Sequence, residues 1–142
     1  MGKINFFNLD TSYRLKNKRN IRDWVLEVLA SEDKPDIESV NIILCSDEYL
    51  LEINRKYLRH DYFTDIITFT YSSADNSLEG ELYISIDRIK ENSRELNNPL
   101  ETELHRVIVH GILHLCGYND KRKDQKKFMH ELENRYLQLI DW

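Results

Sequence analysis

The stretch NNPLETELHRVIVHGILHLCG, residues 97–117, constrains this chain more than any other. It reads as one helix with both ends marked. Asn98 is placed to cap the N-terminus, and Pro99 fits the first helical position, where its missing N–H costs nothing. Gly117 fits the left-handed residue that closes a helix. Inside the helix, His110 and His114 stand four residues apart, so a 3.6-residue repeat sets them side by side on one face. Gly111 follows the first histidine in mid-helix, which costs about 1 kcal/mol relative to alanine. Close approach by a neighbouring strand or by a substrate would offset that cost.

The rest of the chain supplies partners for this helix. KINFFN (3–8) reads as a strand, and NIRDWVLEVLASED (20–33) as a helix capped by Asn20, with Ile21, Trp24, Val25, Val28 and Leu29 at helical spacing. ESVNIILCS (38–46) is a β-branched strand. Ser46 can cap the next helix, whose inner face is Leu50, Ile53, Asn54 and Tyr57. TDIITFTY (64–71) is apolar enough for a central strand. SADNSLEG (73–80) is turn-like, ELYISI (81–86) alternates as a strand, and the two strands can form a hairpin across that turn. Asp87 can cap a short helix to about Leu96. A last helix, roughly 122–140, carries Phe128, Met129, Leu132, Tyr136 and Ile140. The order predicts one α/β (α+β) domain over 1–142: a small mixed sheet of about four strands, packed with about five helices.

With 142 residues the chain suits one core. It has no apolar run long enough to span a bilayer and no signal-peptide anatomy. Two cysteines, Cys45 and Cys116, are too few for a disulfide framework, which points to a reducing, cytoplasmic setting. The net charge of −5 argues against coating nucleic acid, DNA included, through bulk charge. Local basic stretches remain, at YRLKNKR (13–19), at KRKDQKK (121–127), and at Arg55, Lys56, Arg59 and His60.

Two imidazoles one helical turn apart can meet a metal ion at about 2.0–2.1 Å. An isolated H-x-x-x-H is usually only two histidines on a helix. Here Gly117 lets the chain turn back, and Asp120 falls where a carboxylate can close the site. The pattern H-x-x-x-H-x-x-G-x-x-D is close to the metzincin zinc signature, with aspartate as third ligand. Two histidines and one carboxylate leave coordination positions open, as catalytic rather than structural sites do. The trio can also hold iron(II), but a rigid helix and turn suit Zn2+, one per chain. Cys116, two residues from His114, reads as a small core residue. The position after the first histidine carries a general-base glutamate in zinc proteases. Gly111 carries none, which disfavours ordinary peptide hydrolysis.

HGILHLCGYND (110–120) resembles the signature of the YbeY family of bacterial endoribonucleases, the rRNA maturation factors, which reads H-G-x-L-H-L-x-G-Y-D-H. LLEINRKYLRHDYFTDIITF (50–69) resembles the family's N-x-x-Y segment followed by T-D-V-L-S-F, and GELYISIDRI (80–89) its G-D-I-x-I-S strand. The match runs in family order over roughly residues 38–133. The resemblance implies a compact α/β domain with one zinc. It also implies single-strand-specific, metal-dependent RNA cleavage, in 16S rRNA 3′-end maturation and ribosome quality control. The implied partners are rRNA, the small ribosomal subunit, ribosomal proteins or a GTPase. His110 and His114 match the first two metal ligands. Asp120 stands where histidine is usual, and Asn119 where aspartate is usual. The arginine that commonly follows the tyrosine of N-x-x-Y is Leu58 here, with Arg59 next. Thr64 and Asp65 match, although hydrogen bonding at a strand start accounts for both more simply than catalysis. Glu81 replaces an aspartate.

The expected chemistry is metal-assisted phosphodiester cleavage. His110, His114 and Asp120 hold the ion, and Arg59 with His60 offsets phosphate charge. Asp65 and Glu81 are the carboxylates to consider as base, since the motif itself holds none. Two rivals stand beside this reading. One is a metallohydrolase acting on peptides or amides. The other is a non-catalytic ribosome-associated factor with a structural zinc.

Overall fold

The computed structural model describes residues 3–34, 36–71 and 77–142. Among them the elements run β1 (Ile4–Asn8), α1 (Lys18–Ser31), β2 (Ile37–Cys45), α2 (Asp47–Leu58), β3 (Ile66–Tyr71), β4 (Leu78–Ser85), α3 (Ile86–Leu96), α4 (Leu100–Leu115) and α5 (Lys123–Leu137). This is the mixed sheet with helices that the sequence predicts. The strand order is β1-β2-β4-β3. β1 and β4 flank β2 in parallel, while β3 pairs antiparallel with β4. The hairpin therefore inserts β4 between β2 and β3 and leaves β3 at the sheet edge, not at its centre. Its apolar character has another cause, because both of its faces are covered. Ile66 points at α4. Ile67 and Phe69 pack on the other face with Cys45, Leu50, Ile53 and Tyr83, under α2.

Several helix ends differ from the sequence expectation by a few residues. α1 begins after Asn17, which takes the left-handed conformation (φ 61°), rather than at Asn20. α3 is capped by Ser85, whose Oγ accepts from the Arg88 N–H. Asp87 serves a different helix, since its carboxylate accepts from the Asp47 N–H at the start of α2. Ser46 caps α2 as expected, accepting from the Tyr49 N–H. α4 starts one residue later than predicted, with Pro99 at the cap position and its carbonyl accepting the Glu103 N–H. On α5 the Phe128 ring is half exposed, and Ile140 lies past the helix end. The turn predicted at 73–80 falls partly outside the described residues, and β4 already begins at Leu78.

α4 is the central helix. Leu104, Ile108, Ile112 and Leu113 are fully buried among α1, α3 and the sheet. Packing of this kind brings the helix close to the sheet. Two glycines allow that approach. A Cβ on Gly111 would stand 2.7 Å from Ile66 Cδ1 and 2.9 Å from Leu82 Cδ2. A Cβ on Gly80, in β4, would stand 2.6 Å from Leu115 Cδ2 and 2.9 Å from the Phe69 carbonyl oxygen. Helix and sheet thus touch backbone to side chain from both directions. Gly111 is explained by packing, not by substrate access.

The two glycines differ in what they meet. At Gly111 the opposing atoms are side-chain tips, and alanine gains about 1 kcal/mol of helix propensity. At Gly80 one opposing atom is backbone, which cannot rotate away. Gly80→Ala is expected to lose about 1–3 kcal/mol through overpacking, and Gly111→Ala clearly less. Urea unfolding of the two variants checks the order, and equal losses would refute it.

Candidate metal centre

The end of α4 forms by a backbone pattern. The Gly117 N–H bonds to the His114 carbonyl and the Tyr118 N–H reaches back to the Leu113 carbonyl, both at 3.0–3.1 Å. This pair of bonds is the Schellman closure, and it requires the left-handed residue that Gly117 provides (φ 105°). The chain then reverses and brings Asp120 back over the last turn of the helix.

His110, His114 and Asp120 converge. The two Nε2 atoms are 3.1 Å apart. Asp120 Oδ2 lies 3.2 Å from His110 Nε2 and 3.4 Å from His114 Nε2. Three ligands at about 2.0–2.1 Å from one ion, at tetrahedral angles, stand about 3.3 Å from each other. The observed triangle has that size. These three residues form the one group among the described residues whose ligand atoms meet in this way.

The other ring nitrogens settle the tautomers. His110 Nδ1 is 2.5 Å from the carboxylate of Glu133 on α5, and His114 Nδ1 is 3.0 Å from the Tyr118 carbonyl. Both partners are acceptors, so both Nδ1 atoms carry the hydrogen and donate. Rings held this way aim both Nε2 atoms toward the Asp120 oxygen. Three converging lone pairs repel unless a cation lies among them. The donor set fits a divalent metal ion.

The surroundings add negative charge. Glu133 is only 5% exposed and also accepts from Arg106 Nη1 at 3.0 Å. Burial pulls the His110 imidazole toward lower pKa. The Glu133 hydrogen bond, and the charges of Glu133, Asp120 and Asp65, outweigh it and leave the pKa raised. The Asp65 carboxyl, just ahead of β3, is raised mainly by burial and further by Glu133, with His110 and two backbone N–H groups opposing. Asp65, Glu103, Arg106, His110, Asp120 and Glu133 line one cavity of about 260 Å3, joined by Lys126 and His130 of α5.

The loop that carries Asp120 has its own anchor. Tyr118 donates its hydroxyl to Glu32 at the end of α1 (2.6 Å), and Tyr136 of α5 donates to the other oxygen of that carboxylate. The bond to Glu32 holds the Tyr118 phenol up at about 12. Cys116 is partly buried against the main core and makes no ligand.

Of the other residues singled out in the sequence, Arg59 caps α2 in the left-handed conformation (φ 56°), and His60 follows it. Neither lines the cavity beside His110. Asp65 does line it. Glu81 does not, because Gly80 and Leu82 face α4 and Glu81 therefore faces the opposite side of the sheet. There it accepts from the Tyr71 and Tyr83 hydroxyls. Sequence reading missed Glu133 and Arg106. A signal existed, since Met129, Leu132, Glu133 and Tyr136 share the buried face of α5, and a charge on such a face needs a partner. Glu133→Gln removes the charge behind the His110 Nδ1–H and should weaken metal binding about 10–100-fold. Competition against a chromophoric chelator measures it, and an unchanged affinity would show that Glu133 does not tune the ligand.

A family model described as Endoribonuclease YbeY matches residues 5–141. A relative from Cytophaga hutchinsonii named Endoribonuclease YbeY is 47% identical over 136 residues, covering 96% of this chain and 94% of its own length. One of the same name from Bacteroides fragilis is 49% identical over 122 residues, 86% of each chain. The solution structure of a Thermotoga maritima protein superposes with a TM-score of 0.66 at 32% identity, covering 95% of this chain and 87% of that one. With the family matched over nearly the whole length and the fold shared, the chain belongs to the Endoribonuclease YbeY family.

Proposed function

We propose that this chain is a zinc-dependent endoribonuclease. Its substrate in this reading is single-stranded RNA in rRNA precursors, including the 3′ end of 16S rRNA, on the small ribosomal subunit in the cytoplasm. The observation that carries the reading is the His110–His114–Asp120 triangle, with two ring tautomers set by Glu133 and Tyr118. Family membership supplies the reaction class.

His110, His114 and Asp120 would hold the ion and leave one position open. Zinc bound there supplies Lewis acidity toward a phosphoryl oxygen and lowers the pKa of a bound water. Glu133 and the Tyr118 carbonyl fix the orientation and the Nδ1–H tautomer of the two imidazoles. Asp65 lies in the same cavity, and in this reading it accepts a proton from the attacking hydroxyl, be it water or the 2′-OH. Burial makes it a stronger base than an ordinary aspartate. Arg106 pairs with Glu133 at 3.0 Å and fixes that second carboxylate in place. Arg59 and His60 offer positive charge to the RNA backbone on its way to the site. The peptide-hydrolase rival gains no support from position 111, which is packed against Ile66 and Leu82 and has no room for a base.

Removing zinc by chelation, or His114→Ala, is expected to abolish cleavage of an rRNA precursor, with zinc re-addition restoring only the wild type. Cleavage that continues undiminished ends the zinc-nuclease reading. Asp65→Asn is expected to bind zinc normally and keep its melting temperature, yet lower kcat by about 100-fold or more. A kcat within a few-fold of wild type would remove Asp65 from the proton-transfer role.

A further inference from the structure

The segment YLRHDYF, residues 57–63, joins α2 to β3 and exposes four large apolar side chains in seven residues. Tyr57 is 61% exposed, Tyr62 55% and Phe63 51%, with Leu58 also exposed. A short loop that only connected two elements would not be built this way, because each exposed ring leaves apolar area in water. Each ring is also backed by a cationic or ring group. Lys56 Nζ lies 5.4 Å from the Tyr57 centroid, and the Arg88 guanidinium 5.3 Å from the Phe63 centroid. The His60 ring stacks on Tyr62 at 5.1 Å and 20°, with a 2.9 Å bond between Nδ1 and the Tyr62 hydroxyl.

The loop is pinned. Asn54 of α2 is 1% exposed, and its Nδ2 donates to the Tyr62 carbonyl at 2.9 Å. Its own carbonyl accepts the His60 N–H at 3.1 Å. Charge around the rings is positive. Arg55 is neutralised by Asp61 at 2.5 Å, while Lys56 and Arg59 make no ion pair with another described residue. Phe63 stands two residues before Asp65, which lines the cavity beside His110. Two residues span at most about 7 Å of chain, roughly one nucleotide step.

We infer that the 57–63 segment is a stacking platform for unpaired bases of RNA, with Tyr62 and Phe63 holding the bases next to the cleaved linkage and Lys56 and Arg59 contacting the backbone. Exposed rings with interleaved cations are what single-stranded nucleic acid binds, and stacking needs no particular base. The inference rests on the nuclease reading for its substrate, but it is tested by binding alone.

The test uses the metal-loaded full chain and a short labelled single-stranded 2′-O-methyl RNA, its integrity checked on a gel and Kd read by fluorescence anisotropy. Tyr62→Ala and Phe63→Ala should each raise Kd about fivefold or more, and Phe63→Trp should retain wild-type affinity. With abasic positions in the RNA, the wild type should weaken and the gap to the alanine variants should close. Unfolding curves control for stability, since both rings lie at the surface. Equal Kd for wild type and the double alanine variant overturns the platform, whatever the cleavage assay gives. So does a wild type that self-associates through these rings while both proteins bind RNA equally. Normal stacking without any cleavage keeps the platform and removes the nuclease reading.

Discussion

The hydrogen bond from His110 Nδ1 to Glu133 sets the terms for the rest of the site. It fixes one ring's tautomer and orientation, and it does so from a different helix. α4 alone could present two histidines but could not choose which nitrogen faces the ion. Glu133 can make that choice only if α5 is docked. Docking rests on Met129, Leu132 and Tyr136 in the core and on the Trp24 Nε1–H bond to the Tyr136 carbonyl at 2.9 Å. The candidate metal ligands and the hydrophobic core are thus linked through α5. A defect at the α1–α5 seam reaches His110 through one carboxylate.

Burying Glu133 needs compensation, because an isolated carboxylate in a low-dielectric site is expensive. Arg106 and the His110 N–H supply it. The same logic covers Glu32, whose carboxylate takes two phenol hydroxyls and ties the Asp120 loop to α1 and α5. No buried side-chain polar atom among the described residues lacks a partner. The site is pre-organised by bonds that do not involve the ion. That is the condition under which an ion is bound without reordering its ligands.

Much of this was legible in the chain itself. His110 and His114 are read by helical spacing, Gly117 by its place after the helix, and Asp120 by its offset from that turn. The sheet with its helices follows from alternation and caps. Other features depend on long-range pairing and are invisible to local pattern. β3 looked central because its residues are apolar on both faces, yet it is an edge strand covered by α4 on one side and by α2 with its aromatic cluster on the other. Asp87 looked like a cap for its own helix and caps α2 instead, forty residues earlier in the chain. Asp65 and Glu81 looked equivalent as acids near strands. Strand alternation sends Glu81 to the tyrosine-rich face, while Asp65, before β3, enters the cavity. The value of Gly111 could be narrowed to close approach, but only the Ile66 and Leu82 side chains identify what approaches.

The aspartate at position 120 has an electrostatic consequence. Two neutral imidazoles and one carboxylate leave a divalent ion with one net positive charge, where three histidines would leave two. Glu133 and Asp65 lower the local potential further, and Arg106 returns part of it. Water on an ion held there would be less acidic than in a three-histidine site, because the pKa of bound water follows the charge it feels. The deficit raises the value of a nearby base. A buried carboxylate with a raised pKa, such as Asp65, suits that need better than a solvated one. Asp65 stands in a stretch that also matches the histidine-bearing family pattern, so it does not answer the substitution; as a buried carboxylate of the cavity wall it would supply basicity beside either ligand set.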